Sequence, residues 1–240
     1  GNLVKGTMQL LDILENCDAT TTFFALDVVY EWFPSLLDEI RFRGHEIAFH
    51  GYPHTKLNEN MLKGNVEKAR AFINKYKVKG FRAPKMKITQ HDINLLSSAG
   101  FIYDSSIYGS FNLLTVNKGI IEVPVSTYPV KKTSITFPRT LVDALKNFEI
   151  PFGSGLFVGL LSPRVLDCMI REINRKGQPF IALIHPWQLT GVPRVGAKWR
   201  IRELLKLPYT IKIPEKKLRY LLERHTFVSI QALLKETDHI

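Results

Sequence analysis

The sequence predicts an α/β domain on a mainly parallel sheet, open or closed into a (β/α) barrel. Short β-branched or apolar runs alternate with amphipathic helical stripes along the chain. Their repeated order, helix then strand, is the pattern of parallel strands joined by crossover helices. The 240 residues, 45% hydrophobic, 11% aromatic and 23% charged, are ordinary for a globular protein and suit one domain over 1–240. That composition excludes disordered, collagen-like and low-complexity architectures.

Thr7 to Asn16 carries apolar residues at 8, 10, 11, 13 and 14, a helical stripe. Thr20 to Leu26 is β-branched and aromatic, hence a strand. Phe33 to Arg43 reads as a helix with Pro34 in its first turn and Gly44 ending it. Glu46 to Phe49 is a short strand, and Asn58 to Tyr76 one long helix with Leu62, Val66, Ala69, Ile73 and Tyr76 on a face. Gly80-Phe81-Arg82 ends the next strand. Thr89 caps a helix through Ser98, Gly100 stops it, and Phe101-Ile102-Tyr103 begins another strand. Ile120 to Val125 reads as a strand, Pro129 to Gly159 as a stretch punctuated by Pro and Gly, and Pro163 to Arg175 as a helix. The apolar run Phe180 to Ile184 follows as a central strand. Glu215 to Arg224, Phe227 to Ser229 and Ile230 to Glu236 close the chain as helix, strand and helix.

Lys and Arg number 33 against 22 acidic residues, a formal charge of +11, which predicts attraction to anionic partners. Residues 151–240 hold 15 basic and 7 acidic residues, so the last third carries +8 of the +11. Arg194, Lys198, Arg200, Arg202 and Lys206 form a mixed Pro/Gly loop and helix without interleaved aromatic repeats, so nucleic acid is not the expected partner. A solvated face is one reading of this run; the rim of a groove for an anionic glycan, a phosphate-linked sugar donor or a lipid surface is the other. The two cysteines, Cys17 and Cys168, lie in apolar helical patterns and are expected as buried free thiols. No stretch reaches the roughly 18 apolar residues of a membrane span, and the first residues lack a signal peptide's layout. A cytoplasmic or membrane-peripheral location is expected.

Chemistry in parallel α/β folds collects at the carboxyl ends of the strands. There the sequence places His50-Gly51-Tyr52-Pro53-His54, Arg82-Ala83-Pro84, Asp104-Ser105-Ser106 and His185-Pro186-Trp187. His50 and His54, four apart, could converge on one divalent metal, with Pro53 favouring a turn over a helix. Either could equally be a satisfied core or surface imidazole, and an open hydrolytic site needs a third ligand, usually a carboxylate. His185 follows five apolar residues, and an unperturbed pKa near 6.5 suits general-acid work; a buried, hydrogen-bonded imidazole is the alternative. Arg82 and Asp104 form either a structural ion pair or a device that orients catalytic groups. Tyr52, Tyr108, Trp187 and Trp199 are candidates for stacking on sugar rings, or for plain packing.

Taken together, Ala19-Thr20-Thr21-Thr22-Phe23-Phe24, the run Arg43-Gly44-His45-Glu46-Ile47 through His54, Gly80-Phe81-Arg82-Ala83-Pro84, Gly100 through Ser106 and Ile184-His185-Pro186-Trp187 resemble the polysaccharide deacetylases of the NodB-homology type, carbohydrate esterase family four. Ile121-Glu122-Val123-Pro124-Val125 resembles a strand of the branch associated with exopolysaccharide and surface-glycan loci. The resemblance implies a distorted (β/α) barrel of seven or eight strands that hydrolyses an N-acetyl group from an amino sugar with a divalent metal, zinc being the expected ion. It makes His50 and His54 metal ligands, His185 the general acid, Arg82 the residue orienting the base and Asp104 the partner tuning His185. Tyr52, Pro84 and Trp187 become substrate-binding candidates. The expected partner is a carbohydrate bearing N-acetyl groups, with anionic or lipid-linked glycans among the candidates.

The family's first motif, an Asp-containing strand end that supplies the base and the third metal ligand, should precede the helix at 7–16, and residues 1–6 contain no carboxylate. Asp12, Asp18 and Asp27 fall inside a helix, before a strand and just past a strand. The expectation is therefore a barrel short of its first strand in this chain. A metal-free amidohydrolase of the same fold and a carbohydrate-binding relative without turnover stay as alternatives.

Overall fold

The computed structural model describes residues 2–51, 61–110, 116–117, 119–130, 140–191 and 211–237. Its main sheet is built from β1 (Thr22–Ala25), β2 (Glu46–Phe49), β3 (Gly80–Phe81), β4 (Tyr103–Asp104), β6 (Val116–Asn117) and β7 (Ile120–Glu122). The order is β1-β2-β3-β4-β7-β6, parallel throughout except for the antiparallel pair β6 and β7. The expected α/β class with a parallel sheet is what the chain forms. Two small pairs flank it: β5 (Tyr108–Gly109) with β8 (Val125–Ser126), parallel, and β9 (Tyr128–Pro129) with β10 (Glu149–Ile150), antiparallel.

Helix α1 (Asn2–Asn16) starts well before Thr7 and buries Leu10, Ile13 and Leu14 against Leu189, Leu218 and Leu222. A Cβ on its Gly6 would lie 2.6 Å from the Pro186 carbonyl oxygen, so only glycine allows this approach. Following β1 come α2 (Asp27–Trp32), which the sequence reading missed, and α3 (Pro34–Phe42). The expected long helix is α4 (Met61–Lys68) and α5 (Arg70–Tyr76), broken where Ala69 leaves helical geometry at φ −79 and ψ 7. In α6 (Gln90–Ser98) Thr89 is the expected cap, in a reciprocal capping box with Asp92. The stretch 129–159 holds α7 (Leu141–Lys146), β10 and α8 (Gly155–Leu160) among its described residues. Ser162 caps α9 (Pro163–Arg175), whose Leu166, Ile170 and Ile173 pack on Phe152 and Leu221; full burial of such side chains contributes about 1.5–3 kcal/mol each. Three elements complete the described chain: α10 (Trp187–Thr190), α11 (Glu215–Leu222) and α12 (Ile230–Glu236). Lys217 of α11 donates from Nζ to the carbonyls of Val158, Gly159 and Leu161 at 3.1, 2.6 and 2.9 Å, closing the end of α8.

Several expectations need correction. Pro124, which has no N–H to give a ladder, splits the 120–125 run into β7 and β8. Residues 227–229 form no strand; Phe227 only accepts a bond from the Thr20 N–H at 3.0 Å. Cys168 is exposed on α9 and Cys17 half-buried, so neither is a core thiol. Most consequential is 180–184. It runs extended beside Ser126 and Gly153, through Ser126 N–H to Ile181 O at 3.0 Å and Leu183 N–H to Gly153 O at 2.7 Å, with a single bridge at Leu183. On its other side no described strand pairs with it. That side and the outer edge of β1 face one another across a cavity of about 280 Å³. Phe23, Phe24, Ala182, Leu183 and Ile184 are accordingly only half-buried.

Beneath this cavity the sheet interior is closed by a polar plug. Tyr103 crosses over Gly80 of the neighbouring strand, where a Cβ would stand 2.0 Å from its ring, and donates its hydroxyl to Glu46 at 2.7 Å. Glu46 also accepts from Thr22 Oγ1 at 2.5 Å and from the Gln231 N–H of α12 at 3.0 Å. Burial nevertheless raises its pKa. Beside it in sequence, His45 is buried against Phe23 with neither ring nitrogen hydrogen-bonded, and burial lowers its pKa.

Candidate active site

Parallel register aligns the carboxyl ends: Ala25 pairs with Phe49, Phe49 with Phe81, Phe81 with Asp104, and Asp104 with Glu122. The residues that follow are thereby brought side by side. His50, Arg82, His185 and Trp187 all line the cavity between β1 and 180–184.

His50 sits one residue past β2, its N–H bonded to the Ala25 carbonyl at 2.8 Å. Its Nδ1 lies 2.7 Å from the Arg82 carbonyl oxygen. A carbonyl only accepts, so Nδ1 carries the proton and Nε2 keeps its lone pair, the arrangement that orients an imidazole for a metal. His54 and Tyr52 lie outside the described residues. Among the described residues no group of three or more His, Cys, Asp or Glu side chains could hold a metal. The half-site at His50 thus fits a divalent ion, and the rest of its ligand set is not described.

Arg82 is buried, with Nε donating to Ser105 O at 2.8 Å and Nη2 to Ser105 Oγ at 2.6 Å. Its guanidinium carbon stands 4.0 Å over the Phe24 ring centre, and burial pushes its pKa down to about 10. The two serines tie three strands together. Ser105 Oγ donates to Val123 O at 2.6 Å, while Ser106 Oγ donates to Asp104 at 2.6 Å and accepts from Ala83 N–H at 2.7 Å. Asp104 therefore bonds to Ser106 and faces Glu122, and its hydrogen bonds do not run to His185.

Glu122 is a site residue that the strand-end reasoning passed over. It is buried beside Asp104, and neither of its oxygens meets an N–H or O–H donor in good geometry. What faces it is the Asp104 carboxyl. Two carboxylates side by side repel, which disfavours ionising both. Burial above all, and then the Asp104 charge, hold Glu122 well above the usual carboxylate range; burial pushes Asp104 up to about 6. The signal in the sequence was an acid inside the apolar run Ile120 to Val125.

His185 stacks on Trp187, ring centres 4.3 Å apart at 24°, and its backbone N–H is held by Gln188 Oε1 at 2.9 Å. Asp27, set aside above, is buried at the carboxyl end of β1, its N–H bonded to Gly51 O at 3.1 Å and its pKa raised by burial and by Glu31. Pro84 is buried in a short 3-10 turn and is not in the cavity wall. Tyr108 is core, packed with Val125 and Ala144. Trp199 and the basic run from Arg194 to Lys206 lie outside the described residues.

His50, Arg82 and His185 thus stand at strand ends of a parallel α/β domain, around one cavity. Residues 2–103 match the family profile described as polysaccharide deacetylase, and residues 103–235 that of a domain of unknown function, DUF3473. The chain belongs to the DUF3473 family, and its first part matches the polysaccharide deacetylase family. A peptidoglycan deacetylase-like protein of Gibberella zeae is 35% identical over 158 residues, which is 61% of this chain and 46% of that protein. The chain thus spans under half the length of that curated relative. Among solved structures, a putative polysaccharide deacetylase from Mycobacterium smegmatis superposes with TM-score 0.53 at 21% identity, over 90% of this chain and 76% of that one. The peptidoglycan deacetylase PdaC from Bacillus subtilis gives TM-score 0.53 at 14% identity, over 99% and 87%. These two likenesses establish the fold. No helix among the described residues is long and apolar enough to cross a membrane.

Proposed function

We propose that this domain removes an N-acetyl group from an amino sugar of a poly- or oligosaccharide by metal-dependent hydrolysis of the amide. The observation that carries the reading is the cavity wall shared by His50, Arg82, His185 and Trp187, with His50 held in the tautomer a metal needs.

His50, with His54, would hold the ion, zinc being the one such a donor set suits; bound there it would activate water and polarise the acetyl carbonyl. The chain's own groups do the rest. Arg82, fixed by Ser105, places a cation at the cavity floor and positions the His50 ring through its carbonyl. His185 protonates the leaving amine, with Trp187 holding its ring and offering a sugar a stacking face. Asp104 and Glu122, sharing one proton, give Arg82 a single negative charge nearby rather than two.

The reading is tested by acetate release from a panel of acetamido sugars, with and without chelator, alongside zinc content. Release that chelator abolishes, with zinc lost in His50→Ala, is expected. Zinc bound without release from any substrate would shift the reading to a carbohydrate-binding relative, and release without metal to a metal-free amidohydrolase.

A further inference from the structure

We propose that the chain binds a phosphate-bearing anion at the amino ends of β2 and β3, on the opposite side of the sheet from the His50 cavity. This site goes beyond the deacetylase reading and does not depend on it. A second cavity, of about 380 Å³, opens there between the ends of α3 and α5 and the face of α12. Ligand pockets run from about 300 to 1,000 Å³, so it is of a size for a small anion and part of what carries it.

Its wall contains four cations, Arg41, Lys77, Lys79 and Lys235, and one carboxylate, Glu46. Glu46 is already committed to Thr22, Tyr103 and the Gln231 N–H, and Arg41 lies close enough to favour its charged form. The nearby Asp38 on α3 is taken by Lys75, at 2.8 Å, and by the Tyr76 hydroxyl. That leaves Lys77, Lys79 and Lys235 converging on one cavity with no ion pair or side-chain hydrogen bond among the described residues. Like charges gathered without counter-charge repel one another, and a dianion placed between them reverses the sign of that interaction.

The backbone at Lys77 points the same way. It ends α5 in the left-handed region at φ 52, a position where glycine or asparagine is favoured and a lysine is strained. Holding a lysine there keeps a charge at the cavity mouth at a conformational cost. The ligand class follows from the cations. Lysines are compact point charges that suit the tetrahedral, doubly charged phosphate, whereas a planar monocarboxylate is better met by an arginine fork, and three of the four cations here are lysines.

The test titrates inorganic pyrophosphate into the full chain at low ionic strength by calorimetry. Saturable binding of one equivalent is expected. Lys77→Gly should weaken it about fivefold while melting no lower than the parent, because glycine relieves the left-handed strain. The pair Lys79→Gln with Lys235→Gln should weaken it at least tenfold, by roughly the same factor per lysine. A control pair of exposed lysines away from the cavity, Lys146→Gln with Lys216→Gln, should leave it unchanged. Absence of saturable binding, or equal weakening in the control pair, overturns the site and reduces the effect to general attraction by a basic chain. Co-sedimentation with phosphatidylcholine vesicles containing phosphatidic acid separates the sources. Lysine-dependent capture there assigns a lipid headgroup; pyrophosphate binding without it assigns a soluble phosphate.

Discussion

Replacing Glu122 by glutamine should make the protein more stable at neutral pH. In the folded chain Glu122 keeps its proton because burial and the Asp104 charge oppose its loss. In the unfolded chain an ordinary glutamate has lost it above about pH 4.3. Above about pH 6, where Asp104 is ionised, the folded state therefore holds one more proton than the unfolded state, and stability falls as pH rises, by about 1.4 kcal/mol per pH unit while Glu122 stays protonated. Glutamine carries a permanent N–H in place of the shared proton, can donate it to Asp104, and titrates in neither state. The stability difference between Glu122→Gln and the parent should thus grow above pH 6, by up to about 1.4 kcal/mol per unit while Glu122 stays protonated. Urea unfolding at pH 6, 7 and 8 measures it, and taking the difference cancels the titrating groups that do not touch Glu122. Parallel curves for the two proteins would show that no proton lies between Asp104 and Glu122, and the account of the site floor would fall.

The remaining expectations concern the scaffold. Gly80→Ala puts a Cβ 2.0 Å from the fully buried Tyr103 ring; overpacking plus a weakened bond to Glu46 should cost about 3–5 kcal/mol by urea unfolding, falling below 1 in a Tyr103→Leu background. His45, buried with its pKa lowered, contributes stability that is present above about pH 6.5 and lost as pH falls below it. His45→Leu should flatten the stability curve between pH 6.5 and 5 without costing more than about 1 kcal/mol at pH 8, since no hydrogen bond is lost. Lys217→Met leaves three carbonyls at the end of α8 without their donor and should cost about 2–3 kcal/mol, seen as a lower melting temperature at unchanged far-UV circular dichroism.

How much of this was legible depended on whether a signal was local. Helix starts were: Thr89 ahead of α6 and Pro163 opening α9 act within one turn. Breaks set by packing were not. Nothing in the run around Ala69 forbids a continuous helix, yet the chain kinks there. The apolar run 180–184 reads as a buried central strand because hydrophobicity reports preference for burial; the structure leaves it an edge, which depends on what stands beside it. The strand-end rule found His50, Arg82 and His185, and the structure gives them one cavity. It missed Glu122 because the rule attends to residues after a strand, and this carboxyl acts from the strand's last position, across from Asp104. Tyr108, open in the sequence between stacking and plain packing, is buried in the core. His54 and Tyr52 fall outside the described residues.

The facing edges of β1 and 180–184 bear on how the protein behaves in solution. Strand edges that pair with no described strand, beside half-covered phenylalanine and leucine, are a template for any extended chain, including a neighbour of the same sequence. The +11 charge opposes such encounters while counterions are scarce. Self-association should therefore rise when salt screens that repulsion.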